Sequence, residues 1–294
     1  MKTLSLILIP ALFCFMPDLR SQEEEGPSCK DCHSDLSERE MMHYPTQDAC
    51  DNCHNDPGPD HPERGFPGGS LVDSLPGLCF LCHDAAIHAQ TVKHGAGSDK
   101  SCLSCHDPHG SASAYLLNKE KRELCLNCHA GIKKQDRHEF RHFPFEDDCG
   151  NCHASHSSTY PALLIDAYPG KLYAPGVADT FALCFQCHDQ ALLEEKTTAW
   201  GTGFRDGERN LHYLHLEGEK GRSCGMCHSL HASQNEHLMA TSVPFGQWDM
   251  PLGFTPMENG GSCNTGCHSK MSYSREKPDG MKQAHISMIP DFLQ

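Results

Sequence analysis

Cys102-Leu103-Ser104-Cys105-His106-Asp107-Pro108-His109-Gly110-Ser111 is the stretch on which the reading of this chain turns. Two thiols at fixed spacing can form thioethers to the two vinyl groups of one haem, and the adjacent histidine can then reach the iron from one face. The same Cys-x-x-Cys-His pattern starts at Cys29, Cys50, Cys79, Cys125, Cys149, Cys184 and Cys224. A stretched version, Cys263-Asn264-Thr265-Gly266-Cys267-His268, makes nine. One motif alone would compete with zinc sites and redox disulfides. Zinc knuckles pair two by two, so an odd number of pairs fits them poorly, and a disulfide scaffold has no need of His after every second Cys.

The cysteine count agrees with nine covalent haem c groups. Of 19 cysteines, all but Cys14 fall into the nine pairs Cys29/Cys32, Cys50/Cys53, Cys79/Cys82, Cys102/Cys105, Cys125/Cys128, Cys149/Cys152, Cys184/Cys187, Cys224/Cys227 and Cys263/Cys267. Cys14 sits in residues 1–21, which read as a cleaved secretory signal: Lys2, an apolar run from Thr3 to Met16, then Leu19-Arg20-Ser21. That run is shorter than the ~20 residues needed to span a bilayer, and no later stretch is apolar enough. Phe13 is too bulky for lipoprotein processing at Cys14. The chain is therefore expected to be periplasmic or extracellular, where haem is attached to c-type cytochromes.

A net charge of −15 makes nucleic acid an improbable partner and suits steering toward a basic redox partner. Only 7% of the residues are aromatic, with two tryptophans among 294. That is little apolar side chain for a conventional core of this length, so porphyrin is expected to supply much of the buried surface and the apoprotein is not expected to fold.

The motifs repeat in pairs. First members begin at Cys29, Cys79, Cys125 and Cys184 and second members at Cys50, Cys102, Cys149 and Cys224. The first three units are compact, and the fourth carries an insertion that includes Trp200 to Arg209. Linkers rich in Pro and Gly cover Asn55 to Ser70 and Ser157 to Val177, and Ser242 to Gly261 leads to the last motif. The expected division is 22–160 for three compact paired-haem repeats and 161–294 for the expanded repeat plus a single haem. Helical composition marks Tyr115 to His129 and Phe181 to Glu195. The expected fold class is mostly irregular, with short α-helices at the haem motifs and few or no strands.

Nine of the 22 histidines close motifs: His33, His54, His83, His106, His129, His153, His188, His228 and His268. Others follow the repeat. His43, His94, His142 and His215 precede the second motifs, while His109, His156 and His231 fall three residues after the motif histidine. His61 takes that role in the first unit, displaced by Asp56-Pro57-Gly58-Pro59. Histidines at i and i+3 of a short helix are neighbours, and two ligands of one iron must come from opposite faces. His109 is therefore expected to serve a different haem from His106, and likewise His156 and His231. His237 is the candidate for the ninth iron. His88, His138, His212 and His285 read as spare, with His212 and His285 competing for that place.

These residues resemble the doubled CxxCH multihaem cytochromes c, grouped loosely with the type-three cytochromes. Cys102 to Ser111 carries the resemblance, with weaker copies at Cys149 to Ser157 and Cys224 to Ser233. Phe204 to His215 and Gly260 to Cys263 resemble that family too. The resemblance implies bis-histidine haems and electron transfer in exported bacterial respiratory systems. Compact tetrahaem members carry adjacent His-His pairs, which this chain lacks, so their haem arrangement does not transfer. The functional expectation is a non-enzymatic carrier whose irons, filled on both faces, favour low potentials in anaerobic or extracellular respiration. Its partners would be redox proteins, including other multihaem cytochromes or an outer-membrane porin. Two alternatives stand beside it. One is a reductase acting on a small nitrogen or sulfur substrate at one open haem, best placed at the Cys263 motif. The other is a structural subunit of a cytochrome filament or porin conduit.

Overall fold

The computed structural model describes residues 28–36, 38–58, 61, 70–95 and 102–276. The segment read as a signal, Cys14 and His285 lie outside these residues, as does most of the Asn55 to Ser70 linker.

Regular structure comes in short pieces. Helices of four residues begin on the first cysteine of two motifs, at Cys29–Cys32 and Cys102–Cys105, and tight 3-10 turns do so at Cys50–Asn52, Cys149–Asn151 and Cys224–Met226. In eight of the nine motifs the histidine N–H donates to the carbonyl of the first cysteine, at 2.8–3.1 Å, which closes one helical turn around each thiol pair. The expected helix over Tyr115 to His129 starts only at Lys121 and runs to Cys128, because Glu120 caps it by accepting from the Glu123 N–H. Phe181 to Glu195 divides into helices Ala182–Phe185, which carries the first cysteine of the motif, and Ala191–Glu194, which follows it.

The expectation of few or no strands is corrected: fifteen short strands occur among the described residues. Most are two residues long, too short for the alternation by which strands are read from sequence. Three of these miniature ladders recur in equivalent places. Met41–Met42 pairs antiparallel with Gly110–Ser111, Val92–Lys93 with Ser157–Ser158, and Phe140–Arg141 with Ala232–Ser233. Each ties the segment just before one second motif to the segment just after the second motif of the next unit.

Among the described residues, strands longer than two residues appear only after residue 241. Ser242–Phe245 and Trp248–Pro251 form a hairpin, and Thr255–Met257, Gly260–Cys263 and Met271–Ser274 form a three-stranded sheet leading into and out of the last motif. Gly266, the extra residue of that motif, passes beneath the hairpin. A Cβ there would lie 2.8 Å from the Trp248 ring and 2.9 Å from Met250 Cγ.

Among the described residues, the two buried apolar clusters lie in the second half of the chain. One gathers Met226, Ala240, Val243, Met250 and Leu252, and another Ala174, Phe181, Leu193 and Leu216. Among the described residues no helix is long and apolar enough to cross a membrane.

Candidate functional site

A continuous cavity of about 4430 Å³ runs from Ser28 to Arg275 and is lined by all eighteen paired cysteines and all nine motif histidines. Shared nine ways it offers roughly 490 Å³ apiece, within the ~300–1,000 Å³ typical of one small-molecule site.

Across this cavity the histidines meet in twos. Stacked imidazoles with ring centroids 6.0–6.2 Å apart join His33 to His61, His43 to His83, His54 to His109, His94 to His129, His106 to His156, His142 to His188 and His153 to His231. An eighth stack joins His212 to His228 at 6.4 Å. Every stack pairs one motif histidine with one from elsewhere. Rings in van der Waals contact would lie much closer. The gap matches one metal ion held at about 2.0–2.1 Å by a nitrogen of each ring, so the donor set fits the iron of a haem.

His106 and His109 do not share a helix. The helix ends at Cys105, His106 bridges to Leu117, and His109 leads into a ladder strand. They face His156 and His54 respectively. The i, i+3 arrangement on a helix belongs instead to His212 and His215, on Leu211–Leu216. Asn210 caps that helix by accepting from the N–H groups of His212 and Tyr213.

Two expectations are corrected. His212, read as spare, is the ring facing His228. His237, read as the candidate for the ninth iron, sits at a left-handed loop tip with φ +55°, and its carbonyl accepts from His228 Nδ1 at 2.9 Å. His215 lies within electrostatic range of His268, the ninth motif histidine.

The loop tip is one of three. After the second motifs of units two, three and four the chain turns through Tyr115-Leu116, Ala162-Leu163 and His237-Leu238, all at φ between +55° and +58°. The strain of such residues, ~1–3 kcal/mol each, aims a carbonyl at the motif histidine. Tyr115 O accepts from His106 Nδ1 at 2.8 Å and Ala162 O from His153 Nδ1 at 2.9 Å. A serine closes each loop: Ser111 donates to Leu117 O at 2.6 Å, Ser233 to Met239 O at 2.5 Å, and Ser158 to Leu164 O. With Nδ1 so engaged, Nε2 is left to face the cavity. A recurring Ser two residues past the following histidine, with Leu-Leu or Leu-Met at the loop's end, was a readable signal for this device.

The mini-ladders organise the facing histidines. The N–H of His43 donates to His109 O, that of His94 to His156 O and that of His142 to His231 O, at 2.9–3.3 Å. His43 and His142 also donate from Nδ1 to Pro108 O and Leu230 O. Burial lowers the basicity of His94, His109, His142, His156, His215, His228 and His231, and pushes His212 down to about 4. Burial thus favours the neutral form of these rings, which has a lone pair to offer.

Cysteines of successive motifs approach in chain order. Cys29 lies beside Cys50, Cys79 beside Cys102, Cys125 beside Cys149 and Cys184 beside Cys224. Between units, Cys53 lies in range of Cys82, Cys105 of Cys128, Cys152 of Cys187 and Cys227 of Cys263.

His88 and His138 face no motif histidine. His88 lies 5.2 Å from His156 at a 57° tilt, the place that Phe145 takes on His231 at 5.3 Å.

The family model for the doubled CXXCH motif matches residues 94–134 and 142–192. Among curated proteins, "Multiheme cytochrome MtrA" of Shewanella baltica (strain OS185) is 27% identical over 223 residues, 73% of this chain and 60% of the relative. "High-molecular-weight cytochrome c" of Nitratidesulfovibrio vulgaris is 26% identical over 135 residues, 45% of this chain and 23% of the relative. "Menaquinone reductase, multiheme cytochrome c subunit" of the same organism is 23% identical over 175 residues, 56% of this chain and 70% of the relative. The chain spans less than two thirds of the first two relatives.

Proposed function

Because the chain belongs to the doubled CXXCH multihaem cytochromes, we propose that it is an exported nine-haem electron conduit whose haems follow one another in the order of their motifs. The observation that carries this reading is the set of eight facing imidazole pairs, each spaced for one iron. Each haem would supply a one-electron couple, and two imidazoles on its iron would leave no position for substrate.

The chain's own residues do the rest. Each Cys pair would hold one haem through two thioethers, and the turn between the thiols sets the motif histidine beside them. The loop-tip carbonyls hold imidazole protons on Nδ1. The ladders seat the facing histidines of the second and third haems together, then of the fourth and fifth, then of the sixth and seventh. The helix Leu211–Leu216 does the same for the eighth and ninth, through His212 and His215. On this reading the ninth iron has its second histidine, which favours a carrier over a reductase with an open site. The partners are other redox proteins, with a multihaem cytochrome or an outer-membrane porin as the kinds to test. The named relatives, a multihaem cytochrome and a menaquinone reductase subunit, favour a respiratory chain.

The test sets two histidines against each other. His212→Ala should leave nine haems attached, turn one of them high-spin and admit about one carbon monoxide per molecule. His237→Ala, which keeps the carbonyl that His228 uses, should leave all nine low-spin. The opposite pattern in the absorption spectra would overturn the ligation, and an intact mass with fewer than nine haems would overturn the count.

A further inference from the structure

The insertion that lengthens the fourth unit contains Gly201-Thr202-Gly203-Phe204, and two of its side chains reach the proposed ligands of the last haems. Thr202 Oγ1 lies 2.9 Å from His212 Nδ1. Phe204 meets the His212 ring edge-on at 5.2 Å and stacks on His215 at 5.5 Å. Elsewhere the ring nitrogens are served differently. His43, His106, His142, His153, His215, His228 and His268 all direct Nδ1 to a backbone carbonyl, at 2.7–3.1 Å.

With Nε2 on a metal, Nδ1 keeps its proton and donates it. The stronger its acceptor, the more electron density the imidazole passes to the metal and the more basic a ligand it becomes. An amide carbonyl is a strong acceptor. Thr202 Oγ1 is a neutral hydroxyl that already accepts from the Phe204 N–H at 3.0 Å, so it polarises His212 less. A less polarised ligand stabilises the oxidised metal less.

Resting on the reading that His212 and His228 hold the eighth iron, we infer that Thr202 is a positioning residue that sets the eighth haem to a higher potential than carbonyl-held ligands would. Phe204 keeps the ring turned toward the hydroxyl, so no carbonyl replaces it by rotation. The eighth haem thereby becomes a resting place for an electron beside the ninth.

The experiment is a potentiometric titration of the intact holoprotein, followed by visible and electron paramagnetic resonance spectra. Thr202→Val removes the acceptor at nearly constant shape. One of nine potentials should rise, with nine haems attached and low-spin. Thr202→Ser restores the hydroxyl and should return the wild-type titration. Unchanged potentials in Thr202→Val, or the same shift in Thr202→Ser, would overturn the inference. Should Thr202→Val fail to mature, Thr202→Ala carries the same expectation, and failure of both means that the hydroxyl is structural and the inference falls. The two readings separate cleanly. If His212→Ala yields no high-spin haem, the ligation is wrong. If it does and Thr202→Val is silent, only the role of Thr202 is lost.

Discussion

Residues 28–160 and residues 161–276 carry the same motif and solve the packing problem differently. Of fourteen buried apolar side chains among the described residues, Leu117, Leu126 and Phe145 belong to the first region and the other eleven to the second. The compact repeats hold themselves together with two-residue ladders and serine-closed loops around the cavity. The later region adds two apolar clusters, a hairpin and a three-stranded sheet. Polypeptide grows a core of its own where the repeat has been stretched and where one motif stands without a partner.

Withholding the cofactor should separate the regions most strongly. Chain produced without haem attachment is expected to lack a cooperative fold, since the porphyrins would supply most of the apolar burial in the compact repeats. Hydrogen exchange should find any surviving protection within 168–252. Equal protection in both regions would erase the comparison. Within the holoprotein, Phe181→Ala opens a hole in a packed cluster where Phe181 is 1% exposed, and should cost ~3–5 kcal/mol. Leu117→Ala, outside either cluster, should cost about 2 kcal/mol or less. Denaturant melts of the two variants provide the measurement.

A smaller effect should be shared by both regions. Ser111→Ala and Ser233→Ala each remove a loop-closing hydroxyl, at ~0.5–1.5 kcal/mol per hydrogen bond. Similar losses would show that this closure is independent of the core beneath it. The smallest effect is electrostatic. Hydrogen bonds from Lys121, 2.6 and 2.8 Å away, hold the Asp148 carboxyl below its ordinary value of 3.8. Stability from this pair is therefore full above pH 3.8 and lost as the pH falls through the depressed value. Asp148→Asn should be slightly less stable than wild type near pH 7, and the two should converge in acid. Both side chains are about a third exposed, so the gap should be small.

The covalent framework was legible because thioether chemistry demands a fixed spacing, and the doubled repeat because nine copies leave a period. Much of the histidine pattern was visible for the same reason: His109, His156 and His231 recur at one offset. His212 and His237 were misread because offsets along the chain do not reveal backbone conformation. A left-handed tip presents the His237 carbonyl as the acceptor for His228 Nδ1, and an Asn210 cap starts the helix on which His212 faces His228. The ladders were invisible because two residues carry no alternation, and the late cores because their members come from separate loops. Thr202 gave no signal beyond its place in an insertion.

The ladders have a consequence for how such chains change length. On the proposed ligation, each interior unit lends one histidine forward and one back, so no unit is complete when cut out at its own borders. Yet the exchange is the same at each junction. Removal of the third unit in register would leave His94 opposite His188 and His231 opposite His106, with every loan still repaid. Conduits of this design can therefore gain or lose haems in twos by in-frame duplication or deletion.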